Sequence, residues 1–266
     1  MKVRVKKEVV YLRFVFDLEG TIVFNDEKVS PYLTEMLTFL SEKGHETIFV
    51  SSKSIREMLT LVDKRFHQYK MIGGNGAVIC SRGNIEQIVA FSTSMFSKIK
   101  ELICDFDATY LIESDWDYSY TGGAYHRVVN DVDPQKLAEN FAIDDLPTAW
   151  KITILSASNR KSLLEKLEQL NVITKQIDDG EMFEITPRGL SKWNALRTFG
   201  VQKNTFLVYG KDEEDLALFE NAQFTVLVGE NPALAAFADE QLLIDDRIEA
   251  KIVESVKRLS AKFSLY

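Results

Sequence analysis

Cysteine is nearly absent: Cys80 and Cys104 are the two in 266 residues. They make neither a disulfide framework nor a CxxC metal pair, so a reducing, cytoplasmic location is expected. With 5 prolines and 13 glycines the chain is too poor in both for collagen or a low-complexity tract. No apolar run approaches the roughly 18 residues of a membrane-spanning helix. Lys2, Arg4, Lys6 and Lys7 precede an apolar stretch, as in an export signal, but Arg13 interrupts it and no small-residue cleavage site follows. Positive charge is also in deficit, with 32 Lys and Arg against 40 Asp and Glu and a net charge of -8. Such a chain offers no basic field for a nucleic acid backbone. Neither nucleic acid nor membrane is an expected partner.

What the chain does have is 45% hydrophobic and 27% charged residues, an ordinary globular composition. Its length allows one large domain or two smaller ones. Residues 9–16 (VVYLRFVF) are β-branched and aromatic and stop at Asp17, as a buried parallel strand would. Ser30 as N-cap and Pro31 at the first helical position open a helix closed by Gly44. A strand at 46–50 follows, and Ser54 with Glu57 makes a capping box for a second helix. This alternation predicts a doubly wound parallel, Rossmann-like α/β sheet.

From about 83 to 188 the rhythm changes. Asp133 and Pro134 are read as a helix start, and Asp179-Gly180 as a hairpin turn. The parallel rhythm then returns, with a helix at 192–199 ended by Gly200, strands at 205–209 and 224–228, and a last strand and helix. The expected organisation is a core of residues 1–82 and 189–266, interrupted by an inserted α+β domain of residues 83–188.

Three polar clusters directly follow predicted core strands: Asp17 to Thr21, Ser51 to Ser54, and Lys211 to Asp215. In an open parallel sheet, loops beyond the carboxyl ends of strands meet near the topological switch point. Each cluster alone is also an ordinary polar loop capping a helix. Their coincidence points to one site.

Asp17-Leu18-Glu19-Gly20-Thr21 resembles motif one of the haloacid dehalogenase (HAD) superfamily, usually Asp-x-Asp-Gly-Thr. Ser51 resembles motif two, Lys192 in Gly189-Leu190-Ser191-Lys192 motif three, and Gly210 to Asp215 stands in the place of motif four. Asn75-Gly76-Ala77, the Gly-Leu-Ser-Lys stretch and the insertion are together similar to the Cof-type phosphatases, whose insertion is a cap domain. The resemblance implies a phosphomonoester hydrolase for a small phosphorylated metabolite. It assigns Asp17 as nucleophile forming an aspartyl phosphate, and Glu19 as the acid that protonates the leaving group and then activates water. Ser51 and backbone N–H groups around Gly20 and Thr21 would donate to phosphate oxygens, with Ser52 beside them, and Lys192 would offset charge. Asn75 would touch substrate or serve its turn alone. Magnesium is the implied cofactor, held by Asp17, the carbonyl of Glu19, and the acids Asp215, Asp212 or Glu214. Those same acids also suit the start of any helix, where carboxylates meet the dipole.

The chain departs from the family pattern in three places. Glu19 replaces the usual second Asp of motif one, a change that the enolase-phosphatase branch also carries. Ser51-Ser52-Lys53 stands for Thr-Gly-Arg. Gly210-Lys211-Asp212-Glu213-Glu214-Asp215 stands for Gly-Asp-x-x-Asn-Asp, which puts the ammonium of Lys211 where a metal-binding carboxylate belongs. Lys211 either points into the acidic pocket and opposes a cation, or turns away and lets Asp212 or Glu214 complete the site. The alternative function is a weakened relative that binds a phosphorylated ligand or a protein partner. A signalling receiver domain uses similar residues but lacks a large insertion. His45, His67 and His126 show no metal spacing and read as surface or core histidines. Trp116, Tyr118 and Tyr120 read as one face of a strand or as a loop over substrate.

Overall fold

The computed structural model describes residues 11–263 except Asp26, residues 124–127 and 129–131, and Pro134. Residue contacts divide the chain into two compact units. One takes the residues up to Ser51, Leu61–Met71 and those from Lys192 onward; the other takes Ser52–Thr60 and Ile72–Ser191. His126 and the basic N-terminal residues lie outside the described residues.

Strands are numbered along the chain. The larger sheet contains β1 (Arg13–Asp17), β2 (Glu46–Val50), β3 (Lys70–Gly73), β4 (Val78–Ser81), β5 (Asn84–Ile88), β11 (Leu207–Gly210), β12 (Phe224–Val228) and β13 (Glu240–Leu242). Its order is β13-β12-β11-β1-β2-β3-β4-β5. β1 pairs in parallel with β2 on one side and β11 on the other, placing Phe16 opposite both Phe49 and Tyr209. Phe14, Val15 and Phe16 are wholly buried, which explains the near-continuous apolar run. The chain leaves β1 toward β2 and returns on the other side at β11. The switch point is therefore at β1, and the loops after β1, β2 and β11 open at the same sheet end.

Helix α1 (Pro31–Glu42) begins where expected: the Ser30 hydroxyl accepts from Leu33 N at 3.2 Å, and Gly44 ends the turn at φ +78°. Leu33, Met36, Leu37 and Leu40 face inward, each contributing about 1.5–3 kcal/mol by burial. Against α1 packs the long C-terminal helix, Ile248–Phe263. His45 is a core histidine, bonded to Ser260 Oγ at 2.7 Å and accepting from Leu12 N at 3.3 Å. Its pKa is lowered by burial and by Lys43.

In the second unit, α2 (Ile55–Leu61) carries the expected capping box, with Glu57 Oε2 accepting from Ser54 N at 2.9 Å. A five-stranded antiparallel sheet contains β6 (Thr109–Glu113), β7 (Tyr118–Tyr120), β8 (Lys151–Ser156), β9 (Val172–Ile177) and β10 (Met182–Pro187), in the order β7-β6-β8-β10-β9. Helices α3 (Thr93–Asp105) and α4 (Arg160–Glu168) bury Ile99, Ile103, Leu163 and Leu167 in one core with Ile112, Ile152 and Phe183 of the sheet. Tyr118 and Tyr120 do lie on a strand, while Trp116 sits in the bend before it.

Two expectations need correction. Residues 135–140 are not helical; the Asp133 carboxylate instead accepts from Leu137 N at 2.8 Å and Ala138 N at 2.9 Å, closing a turn. Lys136 there has φ +52°, which no helix continues. Second, β5 falls after residue 83 yet pairs antiparallel with β4 at the edge of the larger sheet. The Gly83 turn with Arg82 at φ +52° folds this hairpin back, so the second sheet starts at Thr109. Among the described residues no helix is long and apolar enough to cross a membrane.

Candidate active site

Asp17 ends β1, so its side chain stands at the carboxyl edge of the sheet, yet only 3% of its surface is exposed. Lys192 opens helix α5 (Lys192–Thr198) and reaches both Asp17 Oδ1, at 2.8 Å, and Asp215 Oδ1, at 2.7 Å. All three side chains are buried. Residues 175 and 23 positions apart in sequence from Lys192 thus meet at one ammonium.

Two buried carboxylates share this one cation. Burial raises the Asp17 pKa to about 8; Lys192 opposes the shift, and the charges of Asp215 and Glu19 add to it. Burial works against the Lys192 charge as well, but the two carboxylates outweigh it and its pKa is raised. The cluster therefore keeps its proton on Lys192 first, and Asp17 is the carboxylate whose charge is held at a cost.

The turn after β1 is closed by its own backbone. Thr21, Ile22 and Val23 donate to Leu18 O at 3.2, 3.0 and 2.8 Å, and Gly20 N donates to Val23 O at 2.7 Å. The Gly20 and Thr21 amides expected to receive phosphate are engaged within this turn. Thr21 is wholly buried, and its hydroxyl donates to Asp17 Oδ2 at 3.2 Å, fixing the carboxylate from the side opposite Lys192. Gly20 has φ +69°, a left-handed conformation suited to glycine.

Ser51, directly after β2, donates to Glu19 at 2.7 Å from Oε1 and 2.9 Å from Oε2. Leu18 N, bonded to Val50 O at 3.1 Å, holds the two loops together. Asp17, Glu19, Ser51, Lys192 and Asp215 are thus gathered at the carboxyl end of β1, β2 and β11. Ser52 and Asn75 belong to the other unit. Ser52 is exposed. Asn75 sits at φ +55° in a turn between Gly74 and Gly76, and its buried Oδ1 has no hydrogen-bond partner among the described residues. That turn is closely packed: a Cβ on Gly74 would lie 2.5 Å from the Trp150 ring, and one on Gly76 2.5 Å from Ser191 O. The Asn-Gly and Gly-Leu-Ser-Lys stretches of the resemblance are therefore neighbours in space.

Of the acids expected to hold magnesium, Asp17 and Asp215 meet at the Lys192 ammonium and Glu19 lies in the adjoining turn. Asp215 Oδ1 takes Lys192, while its Oδ2 accepts from Lys211 N at 2.9 Å and Asp212 N at 3.2 Å. Asp212 is exposed and caps the turn Glu213–Asp215, and Glu214 is exposed. No group of three or more His, Cys, Asp or Glu able to hold a metal ion is present among the described residues. The Lys211 side chain lies against Gly20, where an added Cβ would be 2.6 Å from its Nζ. Sequence reading missed Asn231. Its Nδ2 donates to Lys211 O at 3.0 Å while its Oδ1 caps the short helix Pro232–Ala235, so one side chain fixes the Lys211 loop. The Asn-Pro pair signals that cap, but no local pattern signals the reach to residue 211.

The sequence matches the haloacid dehalogenase-like hydrolase family over residues 14–249. No curated protein matches it in sequence. Among solved structures, a haloacid dehalogenase-like hydrolase from Bacteroides thetaiotaomicron is similar at 16% identity and a TM-score of 0.77, over 94% of this chain and 100% of that one. A phosphatase of the haloalkanoate (HAD) enzyme superfamily from the same organism is similar at 15% identity and a TM-score of 0.71, over 97% of each chain. A HAD subclass IIB sugar phosphatase is similar at 14% identity and a TM-score of 0.67, over 93% of this chain and 98% of that one. These likenesses carry the fold, a large mostly parallel sheet with a second antiparallel sheet. With the family match extending from β1 into the C-terminal helix, the chain belongs to the haloacid dehalogenase-like hydrolases.

Proposed function

We propose that this chain hydrolyses the phosphomonoester of a small phosphorylated metabolite. Asp17 attacks phosphorus through a carboxylate oxygen, and the ester P–O bond breaks. Glu19 gives its proton to the leaving oxygen, then takes one from the water that attacks the aspartyl phosphate, releasing inorganic phosphate and restoring Asp17. Ser51 holds Glu19 in place, and Lys192 with Thr21 holds Asp17. The observation that carries this reading is the buried Asp17 carboxylate, pinned from both sides at a strand end with a second carboxyl in the adjoining turn. Two similar structures are phosphatases, one of sugars, which makes phosphorylated sugars the first substrates to try.

The test is phosphate release from a panel of phosphorylated sugars and nucleotides, each with and without magnesium. Release from at least one compound is expected. Binding of those compounds with no release from any would favour the alternative, a weakened relative, which the lysine at position 211 supports.

A pH dependence follows from Asp17. Its raised pKa of about 8 means that the nucleophile is protonated, and so inactive, over much of the neutral range. The kcat/KM is expected to rise with pH, reach half its maximum near 8 and level off above that, while Lys192 stays charged throughout. A profile that is flat or falls across this range would separate Asp17 from the rate.

A further inference from the structure

We propose that the Lys211 ammonium is the anion-binding cation of this site, in the role the family resemblance gives to magnesium, so that phosphoryl ligands bind without a divalent cation. This inference rests on the phosphomonoester reading above. A phosphoryl group brought to Asp17 adds negative charge beside a buried carboxylate, and some positive charge must meet it. Lys192 is already shared by Asp17 and Asp215 at 2.8 and 2.7 Å and is buried between them. The amides of Gly20 and Thr21 are bonded within their own turn. Lys211 is placed to supply it: its side chain lies along the bare face of Gly20, with Nζ 2.6 Å, Cδ 2.7 Å and Cε 3.1 Å from where a Cβ would stand. No carboxylate comes within ion-pair distance of its ammonium among the described residues. It is half-buried, which leaves it open to a ligand. Its backbone is held at both ends, N to Asp215 Oδ2 at 2.9 Å and O to Asn231 Nδ2 at 3.0 Å. Asp215, turned to Lys192 and to two backbone amides, anchors that loop where the resemblance would have it hold a metal.

The test is calorimetric titration of the full-length protein with inorganic phosphate, in excess EDTA and in magnesium, with manganese binding read separately by electron paramagnetic resonance. Wild type is expected to bind phosphate equally in both buffers and to show no saturable manganese site. Lys211→Met should weaken phosphate binding roughly tenfold in EDTA, the loss of one charge-assisted contact. Being half-exposed, this position should tolerate the change without loss of fold. Lys211→Asp should lose binding in EDTA, recover it in magnesium, and gain a manganese signal. Wild-type binding that requires magnesium and is untouched by Lys211→Met overturns the inference and leaves the phosphatase reading intact. Absence of phosphate binding in either buffer overturns both.

Discussion

Replacing Asp17 by asparagine should abolish turnover while leaving the protein at least as stable as wild type above neutral pH. Asparagine keeps the shape; its Oδ1 can still accept from Lys192 while its Nδ2 donates to the Thr21 hydroxyl, but it has no carboxylate to attack phosphorus. The expected loss in kcat is roughly a thousandfold or more, as for other removed nucleophiles. The stability effect has the opposite sign. Because the folded-state pKa of Asp17 is raised from 3.8 to about 8, the native protein holds a proton there that the unfolded chain releases. Stability therefore falls as pH climbs through that window, and the variant, with nothing to ionise at this position, escapes the fall. The gain at about pH 8 is on the order of a few kcal/mol. Urea denaturation of both proteins at about pH 5 and pH 8 reads it directly. A variant that loses activity and is also markedly less stable at the higher pH would mean that Asp17 supports the fold through its charge, contrary to the raised pKa.

Such opposition between stability and activity is what a buried nucleophile imposes, and it explains which parts of the site the sequence made legible. Asp17, Ser51 and Lys211 were visible because each interrupts or follows an apolar strand, and a strand buried on both faces has a period that is hard to mistake. The boundaries of α1, β2 and β12 were legible for the same reason, with caps and apolar runs agreeing. The helix expected at Asp133 failed because an aspartate whose carboxylate accepts two amides can close a turn as readily as it caps a helix. Spacing did not convey the direction of side chains either. Nothing local to Gly210–Asp215 says that Asp215 turns back to Lys192 or that Lys211 folds over Gly20. Both depend on β11 lying beside β1, a pairing between residues nearly 200 positions apart.

Lys192→Met is expected to cost the most stability of any single change in the site, and to do so in a pH-dependent way. Methionine fills much of the lysine stem's space but removes the one ammonium that Asp17 and Asp215 share. Breaking a buried ion pair by deleting one partner typically costs about 3–5 kcal/mol, since the charge left behind is uncompensated. Here two carboxylates are left. Asp17 already has a raised pKa with Lys192 opposing the shift, so removing that opposition raises it further. The native state then binds more protons than the unfolded chain over a wider range, and unfolding free energy falls as pH rises. The deficit should be largest at about pH 8 and shrink as the pH is lowered and Asp17 is protonated. Thermal unfolding, with a drop on the order of 10 °C at the higher pH, checks the magnitude. Asp17→Asn placed on the same chain removes one of the two stranded charges, so the double variant should recover part of the loss, a coupling that a double-mutant cycle measures. If Lys192→Met were equally stable at both pH values and indifferent to Asp17→Asn, the ammonium would not be the counter-charge on which this cluster depends.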